Sequence, residues 1–306
     1  AASDVYKRQD TDAVRLVSIE KDDYKKELFS LYKDNIIDQY YGLKIQYLYP
    51  FISGKDFTYI PSPYLVVNAV TESMLNRVTF RDNKLRRAIG KEVIESYLYN
   101  IVRQLDTVTW ISPELLYKKG KDKLLTSDVI AAEGDNVIFY DTKAITPSLK
   151  LRKFDVAEIE ADIEIYAEDV IQIYNQINNY LQGCFQLDKQ YLKDKIFGIV
   201  VVLEDAVVSR KKVYEKVYEI LEKTETLDTE EKNYICSHIK VLPLRAIECM
   251  ILQNTSLLPE LIEQLSKPER WYDYTYTNAT IENGKIPLYS KYEKDLKSRI
   301  KNRIMG

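Results

Sequence analysis

Histidine is nearly missing from this chain: among 306 residues His238 stands alone, in the helical-looking stretch EEKNYICSHIK and well away from any acidic cluster. A histidine-based catalytic triad or a multi-histidine metal site is therefore not expected, and His238 reads as structural or solvated. Cysteine is scarce too. Cys184, Cys236 and Cys249 are odd in number and far apart, without the paired spacing that zinc or a disulfide framework needs. A reduced cytoplasm is the expected setting. There is no apolar run of membrane-spanning length, and the start lacks the charged, apolar and small-residue zones of a secretory signal; no membrane partner is expected. A net charge of -3 excludes a globally basic nucleic-acid binder but leaves room for local basic patches. Internal repeats and low-complexity segments are also absent.

What is present is a chain with 45% hydrophobic residues, long enough to fill a sizeable core. Its opening, AASDVYKRQ, resembles the translation of an adapter used to prepare sequencing libraries; residues 1–9 are set aside from fold reasoning, and the authentic start is expected to be missing. Residues 10–80 mix helical periodicity with a loop-like FISGKDFTYIPSP and read as an N-terminal helical subdomain. The 25 tyrosines read as packing and interface before they read as a stacking platform for bases. From Asn83 to Leu105 a helical pattern places Leu85, Ile89, Val93, Tyr97, Leu98 and Ile101 on one face. Gly90 falls within that face, where a missing side chain permits close approach. Glu95 borders the apolar face, whereas Glu92 points to the solvated side.

After TVTWISPELLYKKGKDK come two predicted strands, LLTSDVIAA and NVIFYDTKAI, joined by the turn residues EGD. A long helix follows from about Ala157 to Gln182, then the buried-strand run KIFGIVVVL, the helix RKKVYEKVYEILEK, a short helical piece and the strand KVLPL. This alternation predicts an α/β architecture, a mixed central sheet covered by helices, over residues 81–245. Residues 246–306 read as a C-terminal helical and loop extension.

The hairpin poses the chemical question. Strand periodicity puts Val137, Phe139, Asp141 and Lys143 on one face of NVIFYDTKA and Ile138, Tyr140, Thr142 and Ala144 on the other. A carboxylate and an ammonium leaving the end of an apolar strand cost desolvation unless they meet water, each other or a metal. Asp128 begins the partner strand, so pairing could bring it near Asp141. Two carboxylates held together repel, which a hard divalent cation would relieve.

These residues resemble the PD-(D/E)xK nuclease superfamily, the restriction-endonuclease-like fold: an acid opening one strand, Asp128, then acid-x-Lys in the next, Asp141-Thr142-Lys143. A glutamate on the preceding helix in a Gly-x-x-apolar-Glu setting is matched by Gly90 with Ile94 and Glu95. The Gln-x-x-x-Tyr of the RecB-like branch is matched by Gln176 and Tyr180, with Gln172 a rival on the same stripe. The resemblance covers roughly Asn83 to Leu203. One departure is that Ser127, and not proline, precedes Asp128. Acid-x-Lys also occurs at Asp23, Glu230 and Asp295, but only the Asp141 copy lies in an apolar strand.

The resemblance implies a metal-dependent nuclease acting on DNA, with RNA as the second possibility. Magnesium or manganese would be bound by Asp128 and Asp141, with Glu95 as a further ligand or acting through water and the Thr142 carbonyl available to complete the shell. Lys143 would orient the attacking water and steady negative charge. Gln176 and Tyr180 would contact substrate. Phosphate contacts are expected from Lys118, Lys119, Lys121 and Lys123, from Lys150, Arg152 and Lys153, and less strongly from Arg210, Lys211 and Lys212. Cutting both strands of a duplex would favour a homodimer. The competing readings are a non-catalytic nucleic-acid-binding or scaffold protein of the same fold, from a defence or mobile-element system, and an unrelated hydrolase or glycosidase with paired carboxylates.

Overall fold

In the computed structural model of the chain the described residues are 18–32, 49–55, 58–60, 62–63, 65–66, 83–144, 156–203, 208–223, 226–244 and 246–248. The chain divides into two compact units, residues 1–86 with 146–158, and residues 87–145 with 159–306. In the first, β1 (Ser18–Glu20) pairs in parallel with β2 (Phe51–Ser53), and β2 pairs antiparallel with β3 (Thr58–Tyr59). Helix α1 (Lys21–Tyr32) follows β1 directly. The described part of this region is therefore mixed and not purely helical. The run read as loop supplies two strands because Phe51, Ile52, Thr58 and Tyr59 are β-formers. Most of residues 10–80, and residues 249–306, lie outside the described residues.

The second unit is built on a five-stranded sheet in the order β10-β9-β8-β7-β4. Its members are β4 (Val108–Pro113), β7 (Val129–Glu133), β8 (Asn136–Lys143), β9 (Ile196–Val202) and β10 (Ile239–Pro243). The β4, β7 and β8 pairings are antiparallel, while β8, β9 and β10 run parallel. This is the mixed, helix-covered sheet the pattern of elements predicts. β7 turns into β8 through Gly134 and Asp135, with Gly134 at φ 58°, the left-handed conformation that two-residue hairpin loops need. β4 lies in TVTWISP, to which periodicity assigned no strand. It is an edge strand ending on Pro113, and an edge tolerates the missing N–H. The segment read as one strand, LLTSDVIAA, is split. Leu124 and Leu125 close a separate hairpin, β5 (Leu116–Lys119) with β6 (Asp122–Leu125), and the sheet strand begins only at Val129.

Helices cover both sheet faces. On one, Leu98, Ile101, Val102 and Leu105 pack against Val129, Ala131, Ile138, Tyr140, Phe197, Ile199 and Val201. They belong to α3 (Ser96–Val102) and the turn after it. Ahead of it lie α2 (Asn83–Ile89) and a π-helical segment, Gly90–Glu95. On the other face runs α4 (Val156–Leu181), whose Ile173 Cγ2 would be 2.3 Å from a Cβ added at Gly198. That glycine lets helix and sheet meet. The face predicted for the first helix needs correction: Val93 is 57% exposed and Leu85 is also exposed, while Ile94 is buried. A strict every-fourth-residue ladder drifts by roughly 40° per turn against the 3.6-residue period, and the π turn alters the phase again. The true buried stripe is Ile94, Leu98, Ile101, Val102 and Leu105.

Candidate active site

Strand pairing decides where the acids go. β7 and β8 are in register from Val129↔Tyr140 to Glu133↔Asn136, so Asp128 precedes the paired region and Asp141 follows it. In place of a ladder bond, the Thr142 backbone N–H donates to Asp128 Oδ2 at 2.6 Å, and the Thr142 hydroxyl donates to the same oxygen at 2.6 Å. Asp128 is thus clasped to the peptide that joins Asp141 to Thr142. On the opposite face Asp141, 3% exposed, takes an ion pair from Lys143 Nζ to Oδ2 at 2.7 Å. Lys143 Nζ also lies 3.3 Å from Asp169 Oδ1 and donates to Gln172 Oε1 at 2.8 Å. Gln172 Nε2 is 3.4 Å from Asp141 Oδ1, which closes the group.

The electrostatics follow from crowding. Burial raises the Asp141 pKa to about 6; Lys143 opposes the rise and Asp128 adds to it. For Lys143, burial works downward, but Asp141 and Asp169 outweigh it and hold its pKa above the ordinary value. Asp169 is itself raised by burial, against the pull of Lys143. Glu95, half-buried at the end of the π-helical segment, is pushed up to about 7 by burial, then by Asp128, Glu114 and, more weakly, Asp141, with Lys91 opposing. Glu92 is exposed. Three carboxylates therefore feel one another across the end of the sheet.

Among the described residues no three acidic, histidine or cysteine side chains close on one point as a ready-made metal cage. The smaller donor set does fit a magnesium-type ion, which keeps most of its waters and uses one or two carboxylates. Asp128 and Asp141 bracket the Thr142 peptide, and Asp141 is made harder to ionise by burial and then by the Asp128 carboxylate, a cost that a cation would relieve.

The long helix contributes a polar stripe at Asp169, Gln172, Gln176 and Asn179, spaced three, four and three residues apart and so on one side. Buried Gln176 accepts from the Ser127 hydroxyl, which steadies the corner just before Asp128. Tyr180 sits differently. Its hydroxyl donates to the Lys189 carbonyl (3.2 Å) and accepts from Tyr191 N–H (2.9 Å), and its ring packs on Phe139 and Phe185. Asp169 and Asn179 were not singled out from sequence; the three-four-three polar spacing inside an otherwise core-facing stripe is the signal that finds them. Lys119 Nζ donates to Asn179 Oδ1 at 2.7 Å, and Asn179 Nδ2 donates to the Tyr117 hydroxyl at 2.8 Å. Lys121 is exposed at the tip of the β5–β6 hairpin. Lys150, Arg152 and Lys153 lie outside the described residues. Arg210, Lys211 and Lys212 open α5 (Arg210–Leu221), where Lys211 pairs with Glu215 at 3.9 Å. His238 ends α6 (Thr229–His238), stacked on Phe197 and Tyr234 with ring centroids 4.9 and 4.4 Å away; burial lowers its pKa.

No protein-family model matches the chain. A probable DNA-directed RNA polymerase from Gelasinospora sp. (strain G114) is 26% identical over 134 residues, 44% of this chain, and the match spans 15% of that protein. The small subunit of the heterodimeric restriction endonuclease R.BspD6I is a solved structure similar at 9% identity and a TM-score of 0.31, covering 63% of this chain and 96% of its own. The second unit is a mixed five-stranded sheet between helices. Neither similarity places the chain in a family, and the active-site reading rests on the geometry. No helix among the described residues is long and apolar enough to cross a membrane.

Proposed function

We propose that this chain is a magnesium- or manganese-dependent nuclease that hydrolyses phosphodiester bonds of DNA. The observation that carries the reading is the clasp of Asp128 on the Thr142 peptide, beside buried Asp141 and its partner Lys143. A plain surface hairpin has no reason to bury an acid beside a half-buried second acid and lysine at one strand end.

Asp128, Asp141 and the Thr142 carbonyl would hold the ion, with Glu95 reaching it directly or through water. Bound there, the ion would neutralise charge on the phosphate and make a bound water more acidic. The chain's own groups do the rest. Lys143 orients the attacking water and offsets negative charge as it develops at phosphorus. Asp169 and Gln172 give Lys143 two acceptors that do not depend on Asp141, so the ammonium stays in place when Asp141 is engaged elsewhere. Gln176 holds the Ser127 corner, and Thr142 fixes the Asp128 carboxylate.

The test is cleavage of linear, circular and single-stranded DNA with magnesium, manganese or EDTA, using the parent, Asp141→Ala and Lys143→Ala. Metal-dependent cutting lost in both variants is the expected result. An Asp141→Ala protein that folds and keeps full activity would sink the assignment. Divalent-metal titration by calorimetry separates this reading from a non-catalytic binding protein of the same fold, which would show no binding at these acids.

A further inference from the structure

The β5–β6 hairpin has two unlike faces. Inward, Tyr117 is buried, with its ring 4.8 Å from Phe185 and its hydroxyl on Asn179. Outward, strand alternation and register place Leu116 opposite Leu125 and Lys118 opposite Lys123. The leucines are 66% and 47% exposed, and both lysines are exposed. Two like charges directly opposite on one face destabilise a hairpin, and two leucines left in water forgo most of the gain of burial. Gly120, at φ 62°, makes the tight tip where Lys121 adds a third ammonium.

Most described lysines of this unit are compensated by acids, although Lys212 is not paired with a carboxylate among the described residues and Lys240 donates to the Cys236 carbonyl. Lys91, Lys189, Lys193, Lys216 and Lys232 each sit on a carboxylate. Among the described residues Lys118, Lys121 and Lys123 have no such partner. The hairpin is also fixed to the active site. Thr126 N–H donates to the Leu115 carbonyl at 2.9 Å, and the Thr126 hydroxyl accepts from Leu115 N–H at 2.8 Å, two residues before Asp128. Lys119 and Tyr117 tie it to Asn179 on the same helix stripe as Gln176.

We propose that β5–β6 is a ribbon that seats on a nucleic-acid duplex, its three unpaired lysines on phosphates and its outward leucine pair against the groove. This rests on the nuclease reading and adds to it the substrate class, duplex over single strand, together with the element that grips it. A two-stranded ribbon fits the major groove of a DNA duplex, where aliphatic side chains meet thymine methyl groups. Binding of single strands instead uses exposed rings on which bases stack, and the hairpin's one ring, Tyr117, is turned into the core. Because the ribbon runs into Thr126, Ser127 and Asp128, docking it sets the position of the scissile phosphate.

The experiment measures affinity for a labelled duplex and for the matching single strand, in EDTA so that nothing is cut, across a range of salt. The proteins are the parent, Lys118→Ala/Lys121→Ala/Lys123→Ala, and Leu116→Ser/Leu125→Ser. All five positions are exposed, and melting curves check that each variant folds. The parent should prefer duplex. The triple variant should lose duplex affinity about tenfold or more at ~0.1 M salt, and its log-affinity against log-salt slope should be shallower by about 3, near one unit per lost phosphate contact. The leucine variant should weaken binding with the slope unchanged. A triple variant that binds like the parent with the same slope overturns the ribbon, as does a parent that binds single strands as tightly as duplex. Metal-dependent cutting is scored separately: a parent that grips duplex through the hairpin but never cuts overturns the nuclease reading and leaves the ribbon standing.

Discussion

Two charged regions lie a few residues apart in this chain, and they treat charge in opposite ways. At the end of β8 every group has a partner: Asp128 on Thr142, Asp141 on Lys143, and Lys143 on Asp169 and Gln172. On the outward face of β5–β6 lysine faces lysine and leucine faces leucine in water. Buried charge is tolerated only when paired, so the first region is dictated by the fold's own energetics. Exposed charge is cheap, so the second is free to be arranged for something outside the chain. The compensated corner is suited to precise placement of reacting groups, and the uncompensated ribbon to attraction.

The comparison breaks most sharply at Asp141 and Lys143. Replacing either with alanine should lower metal-dependent cleavage by about 10²–10⁴-fold, measured as single-turnover rates. Lys143→Ala should also lower stability, since it leaves Asp141 and Asp169 buried without their cation. Loosening the corner's support comes next: Gln176→Ala leaves the Ser127 hydroxyl buried without its acceptor and should cost about 1–3 kcal/mol in chemical denaturation. Asp169→Asn should slow cleavage about tenfold, ~1.4 kcal/mol in the barrier, with KM little changed, because Lys143 keeps Asp141 and Gln172 but loses its second carboxylate. Equal effects on kcat and KM would argue against that role.

The ribbon should respond with the opposite sign. Lys118→Ala removes a like-charge cross-strand pair and should raise the melting free energy by about 0.2–1 kcal/mol, while weakening duplex binding. A separate effect is the pH dependence at Glu95. Its folded pKa, about 7, lies above the ordinary value of 4.5, so the folded state holds the extra proton between these pH values. Its contribution to stability therefore falls as pH rises from 4.5 through 7. Without metal, Glu95→Gln should match the parent at pH 4.5 and gain on it by pH 8. Thermal melting at the two pH values checks the sign, and added magnesium should narrow the gap by stabilising the parent's ionised carboxylate.

Much of this was legible before any coordinates. Apolar runs identify β8, β9 and α4 because buried strands and amphipathic helices leave strong periodic signals, and period-two alternation places Asp141 with Lys143 and Thr142 on the other face. The weaker signals misled. TVTWISP carries too little alternation to announce an edge strand, and LLTSDVIAA reads as one strand because nothing local says that Thr126 will bond back to Leu115. The helix face around Val93 was misplaced because a π turn has no clear sequence signature.

By itself, then, the sequence determined the order from β8 through α4, β9 and α5 to β10, the near absence of histidine that leaves carboxylates and lysine as the candidate groups, and which strand carries the acids, since all of these follow from composition and short-range periodicity. Only the tertiary structure decided that Asp128 would clasp the peptide after Asp141, that Asp169 and Gln172 would hold Lys143, and that Lys118, Lys121 and Lys123 would have no carboxylate partner among the described residues. Those are pairings between residues 14 to 31 positions apart, or the lack of them, and they form because burying a charge forces it to find a partner wherever the packed chain supplies one.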